Sequence, residues 1–140
     1  MQKILIMGLP GSGKTTLANA LVQKLRSREM TVDWFNADDV RSKFNDWDFS
    51  EAGRIRQSFR MRELADMQST DFVICDFVAP LAIMRSNFKA DWIVWLDTIV
   101  RGRFEDTNSI FVKPLEFDFR VTEQDCNKWS NIICNEILSK

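Results

Sequence analysis

The chain has 140 residues, of which 45% are hydrophobic, enough for the core of one compact domain with little room for a second domain or a large inserted lid. Its 19 Lys and Arg against 20 Asp and Glu leave a net charge of −1, which argues against a long nucleic acid as partner, since sequence-independent binding needs a basic face. No apolar run approaches the ~20 residues that span a bilayer, and the three cysteines have neither zinc-like spacing nor the even number of a disulfide framework.

Lys3 to Gly8 reads as a short apolar strand, which leaves no place for a signal peptide. A reduced, cytoplasmic protein is therefore expected, monomeric or homodimeric and without a membrane partner. Lys14 to Arg28 is helical, with Leu17, Ala18, Leu21, Val22 and Leu25 on one apolar face. Thr31 to Asn36 is a second strand, and Asp38 to Asn45 a short helix that starts near Ala37 or Asp38. Ser50 is an N-cap candidate for a helix that continues through Ile55, Phe59 and Leu64. Asp71 to Asp76 reads as a buried strand, Ala79-Pro80 as the start of a helix, and Asp91 to Asp97 as another buried strand in which Trp92 and Trp95 belong to the core. Thr98 to Glu116 is irregular with about one helical turn, Phe117 to Val121 is the last strand, and Glu123 to Leu138 a final helix with Trp129, Ile133 and Ile137 on one face. Five strands alternating with helices predict an α/β fold, a parallel sheet covered on both sides. Ligands of such sheets bind at the carboxyl ends of the strands.

Gly8, Leu9, Pro10, Gly11, Ser12, Gly13, Lys14 and Thr15 fit the phosphate-binding pattern G-x-x-x-x-G-K-[ST] at every fixed position, between a strand and a helix. Glycines bring backbone N–H groups close to phosphate oxygens, and the helix adds its positive end. Lys14 can reach the β- and γ-phosphates of ATP as a catalytic cation, and the Thr15 hydroxyl can ligate Mg²⁺; Thr16 completes the loop. Residues 1–140 are thus read as a single P-loop kinase domain.

The chain contains no histidine, so proton transfer must rest on other side chains, carboxylates first among them. Asp38 follows strand two, where a carboxylate can face the γ-phosphate, accept an alcohol proton or take part in holding Mg²⁺. Arg41 lies on the same helix face and suits an anion clamp. An Asp pair at a helix start also simply suits the helix dipole. Asp76 ends an apolar strand as a second Mg²⁺ ligand would. Arg101 and Arg103 follow strand four, where a lid arginine can stabilise charge on the transferring phosphoryl group, although a surface loop with two arginines has the same pattern. Arg56 and Arg62 read as a solvated face balanced by Glu51, Glu63 and Asp66.

Over the first 85 residues or so the chain resembles the adenylylsulfate kinase (APS kinase) family, which transfers the γ-phosphate of ATP to the 3′-hydroxyl of adenosine 5′-phosphosulfate. The matching stretches are Gly8 to Thr16, Asn36 to Arg41, Asp48 to Arg54 and Phe77 to Pro80. The resemblance implies that Asp38 is the catalytic or metal-organising carboxylate, that Arg41 and Arg54 bind the phosphosulfate nucleotide, and that Phe49 packs near its adenine. It also carries Gln57, Val78 and Ala79 to the acceptor side, and it implies a role in sulfate assimilation. The chain departs from the family pattern at several places. The motif D-G-D becomes Asn36-Ala37-Asp38, a D-R pair becomes Gly53-Arg54, and a family Asn and Ser become Gln57 and Ala79. A short Ile99 to Asn108 stretch stands where the family has a basic lid, and the family lacks an acid at the position of Asp76. The segment Asn36 to Arg41 is similar as well to the N-x-D-D-x-R segment of polynucleotide 5′-hydroxyl kinases. Two alternatives therefore stand beside an APS kinase: a kinase of another alcohol (nucleoside, nucleotide or 5′-hydroxyl end), and a nucleotide-binding module that hydrolyses ATP weakly.

Overall fold

The computed structural model describes residues 1–102 and 104–140. Five parallel strands form one sheet in the order β2-β3-β1-β4-β5. They are β1 (Gln2–Gly8), β2 (Val32–Asn36), β3 (Phe72–Asp76), β4 (Trp92–Leu96) and β5 (Phe119–Val121). The helices are α1 (Lys14–Ser27), α2 (Ala37–Phe44), α3 (Glu51–Asp66), α4 (Ala82–Phe88), α5 (Glu105–Ile110) and α6 (Cys126–Leu138). No described helix is long and apolar enough to cross a membrane.

Strand periodicity divides the core in two. Ile4, Ile6, Ile74 and Val94 face one way and pack under α1 and α6, against Leu17, Leu21, Leu25, Ile133 and Ile137. Leu5, Met7, Val73, Cys75 and Trp95 face the other way and pack under α3 and α4, against Met61, Met84 and Phe88. Each fully buried Leu or Ile contributes roughly 1.5–3 kcal/mol, so the two clusters fix the sheet between its helices. Trp95 belongs to the second cluster. Trp92 is half-buried against the first, and its Nε1 donates to Gln2 Oε1 at 2.7 Å.

Most boundaries fall within one residue of the sequence reading, and three starts differ by two residues or more, each for a local reason. Helix α4 starts at Ala82, not at Ala79-Pro80. Ala79 has φ 47° in the left-handed region, and Arg85 donates to the Ala79 and Pro80 carbonyls at 2.9 and 3.2 Å, so residues 77–81 form a pinned loop. Burial lowers the Arg85 guanidinium to about 10. Strand β5 starts at Phe119, because Asp118 turns its carboxylate onto the Ile93 N–H at 2.7 Å and Phe117 leaves the sheet to pack on Trp95. Helix α6 starts at Cys126, where the Asp125 side chain accepts from the Lys128 N–H.

The order of the strands positions the site. β1 lies between β3 and β4, so the chain turns from one half of the sheet to the other around it. A crevice opens at such a point, at the carboxyl ends of the strands. The Gly8 to Thr15 loop follows β1 there, with Asn36, Asp76 and Thr98 beside it.

Candidate active site

The phosphate-binding loop is shaped by its own residues and by two supports. Ser12 N–H donates to the Leu9 carbonyl at 3.1 Å, and Gly13, with φ 103°, serves as N-cap of α1 without a side-chain cap. The first N–H groups of α1 have no intrahelical acceptor and point into the loop. At Gly8 an added Cβ would stand 2.8 Å from the Leu96 carbonyl oxygen and 2.8 Å from Ser12 Oγ, so only glycine permits this close approach to β4. The supports are Thr98, whose hydroxyl donates to the Ser12 carbonyl at 2.7 Å, and Gln124, whose amide donates to the Gly11 carbonyl at 3.1 Å. Lys14 Nζ lies 3.0 Å from the Leu9 carbonyl.

A carboxylate-centred network joins the loop to the strand ends. Register sets Asn36 beside Asp76. Asp76, 2% exposed, receives Asn36 Nδ2 at 3.0 Å and Thr15 Oγ1 at 3.5 Å on Oδ1, and Trp34 Nε1 at 2.6 Å on Oδ2. Burial raises the Asp76 carboxyl above the ordinary range, while the Trp34 bond, the Lys14 charge and the Asn36 and Thr15 bonds oppose it. Asn36 has a second task. Its Oδ1 accepts the Asp38 and Asp39 N–H groups at 3.1 and 3.2 Å and caps α2, worth about 1 kcal/mol.

These elements border a cleft of about 810 Å³. Pro10, Gly11, Gly13, Lys14, Thr15 and Thr16 line it from the loop, Asn36 and Asp76 from the strand ends, and Asp38, Trp47, Phe49, Arg54, Val78, Phe104 and Thr107 from farther along. A smaller cavity of about 120 Å³ adjoins the loop on its other side, between Gly13, Thr16, Leu17, Leu96, Val121 and Trp129. Ser12 Oγ and Trp129 Nε1 are buried there without a partner among the described residues. The residues fit ATP and Mg²⁺. The glycine cradle, the helix N-terminus and Lys14 suit a polyphosphate, and one hydroxyl with one carboxylate is the sparse oxygen set that Mg²⁺ takes beside phosphates.

The basic residues named from the sequence divide into two groups. Arg54, 7% exposed, lines the cleft. Its Nε donates to the Phe49 carbonyl at 2.7 Å and its Nη2 to Thr107 Oγ1 at 3.2 Å, with Asp106 at 3.4 Å. Arg41 does not line the cleft. It is buried, donates to the Asp46 and Asp48 carbonyls at 3.0 and 3.2 Å, and stacks 4.3 Å over the Phe49 ring. Its guanidinium shapes the 46–49 loop that presents Trp47 and Phe49. Asp46 closes the same loop by binding Arg56 and Arg60, and the Arg56 hydrogen bond holds its carboxyl far below the usual range. Gln57 is buried too, donating to the Ala37 carbonyl at 3.2 Å behind the wall of the cleft. Ala79 is buried one residue beyond the lining Val78. Arg101 pairs with Glu105 on the surface and is not part of the cleft lining, and Arg103 lies outside the described residues. At Gly53 an added Cβ would come within 2.2 Å of the Asp48 carbonyl oxygen, so glycine here lets the 46–49 loop close onto α3.

The sequence model of adenylylsulphate kinase matches residues 2–98, about two thirds of the chain. The chain belongs to the adenylylsulphate kinase family. Among curated relatives, a probable adenylyl-sulfate kinase of Pseudomonas aeruginosa is 30% identical over 101 residues, 70% of this chain and 47% of the relative. An adenylyl-sulfate kinase of Bacillus velezensis is 32% identical over 111 residues, 77% of this chain and 51% of the relative. The chain thus spans about half the length of these relatives. Among solved structures, the Mycobacterium tuberculosis APS kinase CysC in complex with AMPPNP and APS superposes with a TM-score of 0.87 at 20% identity, over 99% of this chain and 98% of that one. Shikimate kinase from Acinetobacter baumannii gives 0.67 at 17% identity over 99% and 94% of the two chains. At these identities the superpositions establish the fold, a P-loop kinase sheet.

Proposed function

We propose that the chain is an ATP-dependent kinase that moves the γ-phosphoryl group of ATP to an alcohol of a nucleotide, the 3′-hydroxyl of adenosine 5′-phosphosulfate first among candidates. The observation that carries this reading is the continuity of the cleft. It begins at a phosphate cradle, passes Asp38, and ends among Trp47, Phe49, Phe104 and Arg54. Three aromatic rings suit the flat face of a base, and an arginine suits an anionic group. Family membership supports the same reading.

Loop N–H groups and Lys14 hold the β- and γ-phosphates in line with the acceptor. Mg²⁺, when bound, neutralises charge on those phosphates, with Thr15 and Asp76 as the residues that would hold it. Asp38 orients the acceptor hydroxyl and takes its proton as the new O–P bond forms and the bond from the γ-phosphorus to the bridging oxygen of ADP breaks. The small cavity beside Trp129, with an aromatic wall and with the Ser12 hydroxyl and Trp129 N–H unpartnered among the described residues, suits the base of the donor nucleotide.

Arg54→Ala is expected to raise the acceptor KM by about 10-fold or more and to leave ATP binding nearly unchanged, as for a lost hydrogen bond to a charged group. Steady-state kinetics with each substrate varied in turn test it; a loss confined to ATP would move Arg54 to the donor side. The reading as a whole is tested by ATP consumption across adenosine 5′-phosphosulfate, nucleosides, nucleotides and 5′-hydroxyl oligonucleotides. Turnover with a nucleotide acceptor supports it. Consumption that no acceptor stimulates would favour a weakly hydrolysing nucleotide-binding module.

A further inference from the structure

We propose that Trp34 is a positioning residue for the metal site: its indole N–H fixes the Asp76 carboxylate so that the other oxygen faces Thr15. The inference rests on the kinase reading above. Trp34 and Asn36 are two residues apart on β2, hence on one face of the strand, and the register sets both against β3 near Asp76. The result is a carboxylate held at both oxygens by different donors. The indole takes Oδ2 at 2.6 Å, and the Asn36 amide takes Oδ1 at 3.0 Å, where Thr15 also lies.

The division of labour follows from what each donor can do. Both oxygens of a buried carboxylate need hydrogen-bond donors. Asn36 cannot serve both oxygens, because its amide is shared with Thr15 Oγ1 at 3.1 Å and its carbonyl is used by the cap of α2. The indole donates only and has one N–H, so its bond fixes which oxygen points away from the cleft. Without it, Asp76 can turn about its last torsion, and the oxygen beside Thr15 is no longer held in place for a cation. Groups that orient a metal-binding carboxylate typically change metal affinity by 10–100-fold when removed.

Trp34→Phe keeps most of the ring and removes the donor. In the full chain loaded with AMPPNP, Mn²⁺ titrated by electron paramagnetic resonance is expected to bind about 10-fold more weakly to W34F than to wild type. Metal-free AMPPNP affinity is expected to stay the same, a separation that general loosening of the fold would not give. A second measurement leaves Trp34 unchanged. With ¹⁵N-labelled indoles the wild-type chain offers five Nε1–H signals, and the one retained in all of W47F, W92F, W95F and W129F belongs to Trp34. That signal is expected to exchange slowly with solvent and to be broadened by Mn²⁺–AMPPNP. Equal Mn²⁺ affinity in folded W34F, or a Trp34 signal that exchanges freely and ignores Mn²⁺–AMPPNP, overturns the positioning role and leaves the kinase reading intact. Failure of the wild-type chain to bind Mn²⁺–AMPPNP at all overturns both.

Discussion

Lys14→Ala is expected to lower phosphoryl transfer by at least ~10³-fold while the fold remains intact. Lys14 opens α1 and lines the cleft, and the apolar face of that helix is made by Leu17, Ala18, Leu21, Val22 and Leu25, none of which the substitution touches. The hydrogen bond to the Leu9 carbonyl that the substitution removes is worth about 1 kcal/mol, small beside the roughly 5–15 kcal/mol of a whole domain, and loss of the Lys14 charge is felt as well by buried Asp76. Alanine is also a better helix former than lysine, which offsets part of that cost. The chemical effect is much larger. A fixed positive charge beside phosphate oxygens acts in a partly dry site and strengthens as charge gathers on the transferring group. Thermal unfolding and turnover, measured on one preparation, separate the two effects. Wild-type turnover in a folded K14A protein would remove the loop from the mechanism.

What was legible in the sequence was what spacing alone encodes. The strand, glycines, Lys14, Thr15 and amphipathic helix are contiguous, so their arrangement follows from local geometry. The parallel sheet followed from alternating apolar segments, and the two-sided core is that alternation seen in three dimensions. Contacts between residues far apart in the chain were not legible. Trp34 meets Asp76 across 42 positions, and Gln124 meets Gly11 across 113. Nothing near Trp34 in the chain says that its indole, packed against the core, will also donate to a carboxylate. Arginines misled for a related reason. A helical spacing shows which face Arg41 occupies, but not that the carbonyls of Asp46 and Asp48 wait at its tip. Arg41 therefore touches the cleft wall only through the Phe49 ring on which it stacks, and Gln57 through the Ala37 carbonyl. The missed supports had only weak local signals: Thr98 directly after a buried strand, and Gln124 in the turn before the last helix.

Asp38→Asn is expected to keep nucleotide binding and fold while lowering kcat by ~10²-fold or more, and Asp39→Asn to cost much less. The pair forms its own control. Both residues are exposed in the first turn of α2, and both backbone N–H groups are capped by Asn36 Oδ1. Each carboxylate favours the positive end of the helix by about 0.3–1 kcal/mol, so each Asn should lose a similar amount of stability. The two differ in direction. Successive residues stand about 100° apart around a helix, and Asp38 lines the cleft whereas Asp39 is not part of its lining. Only Asp38 can therefore meet an acceptor hydroxyl on its way to the γ-phosphate. An amide at 38 can still accept a hydrogen bond from that hydroxyl but cannot take its proton, so the loss should fall on kcat with little change in KM. Single-turnover kinetics with bound ATP read the chemical step directly. Equal losses at the two positions, or a larger loss at Asp39, would show that the acceptor approaches from another side of α2 and that proton removal does not pass through Asp38.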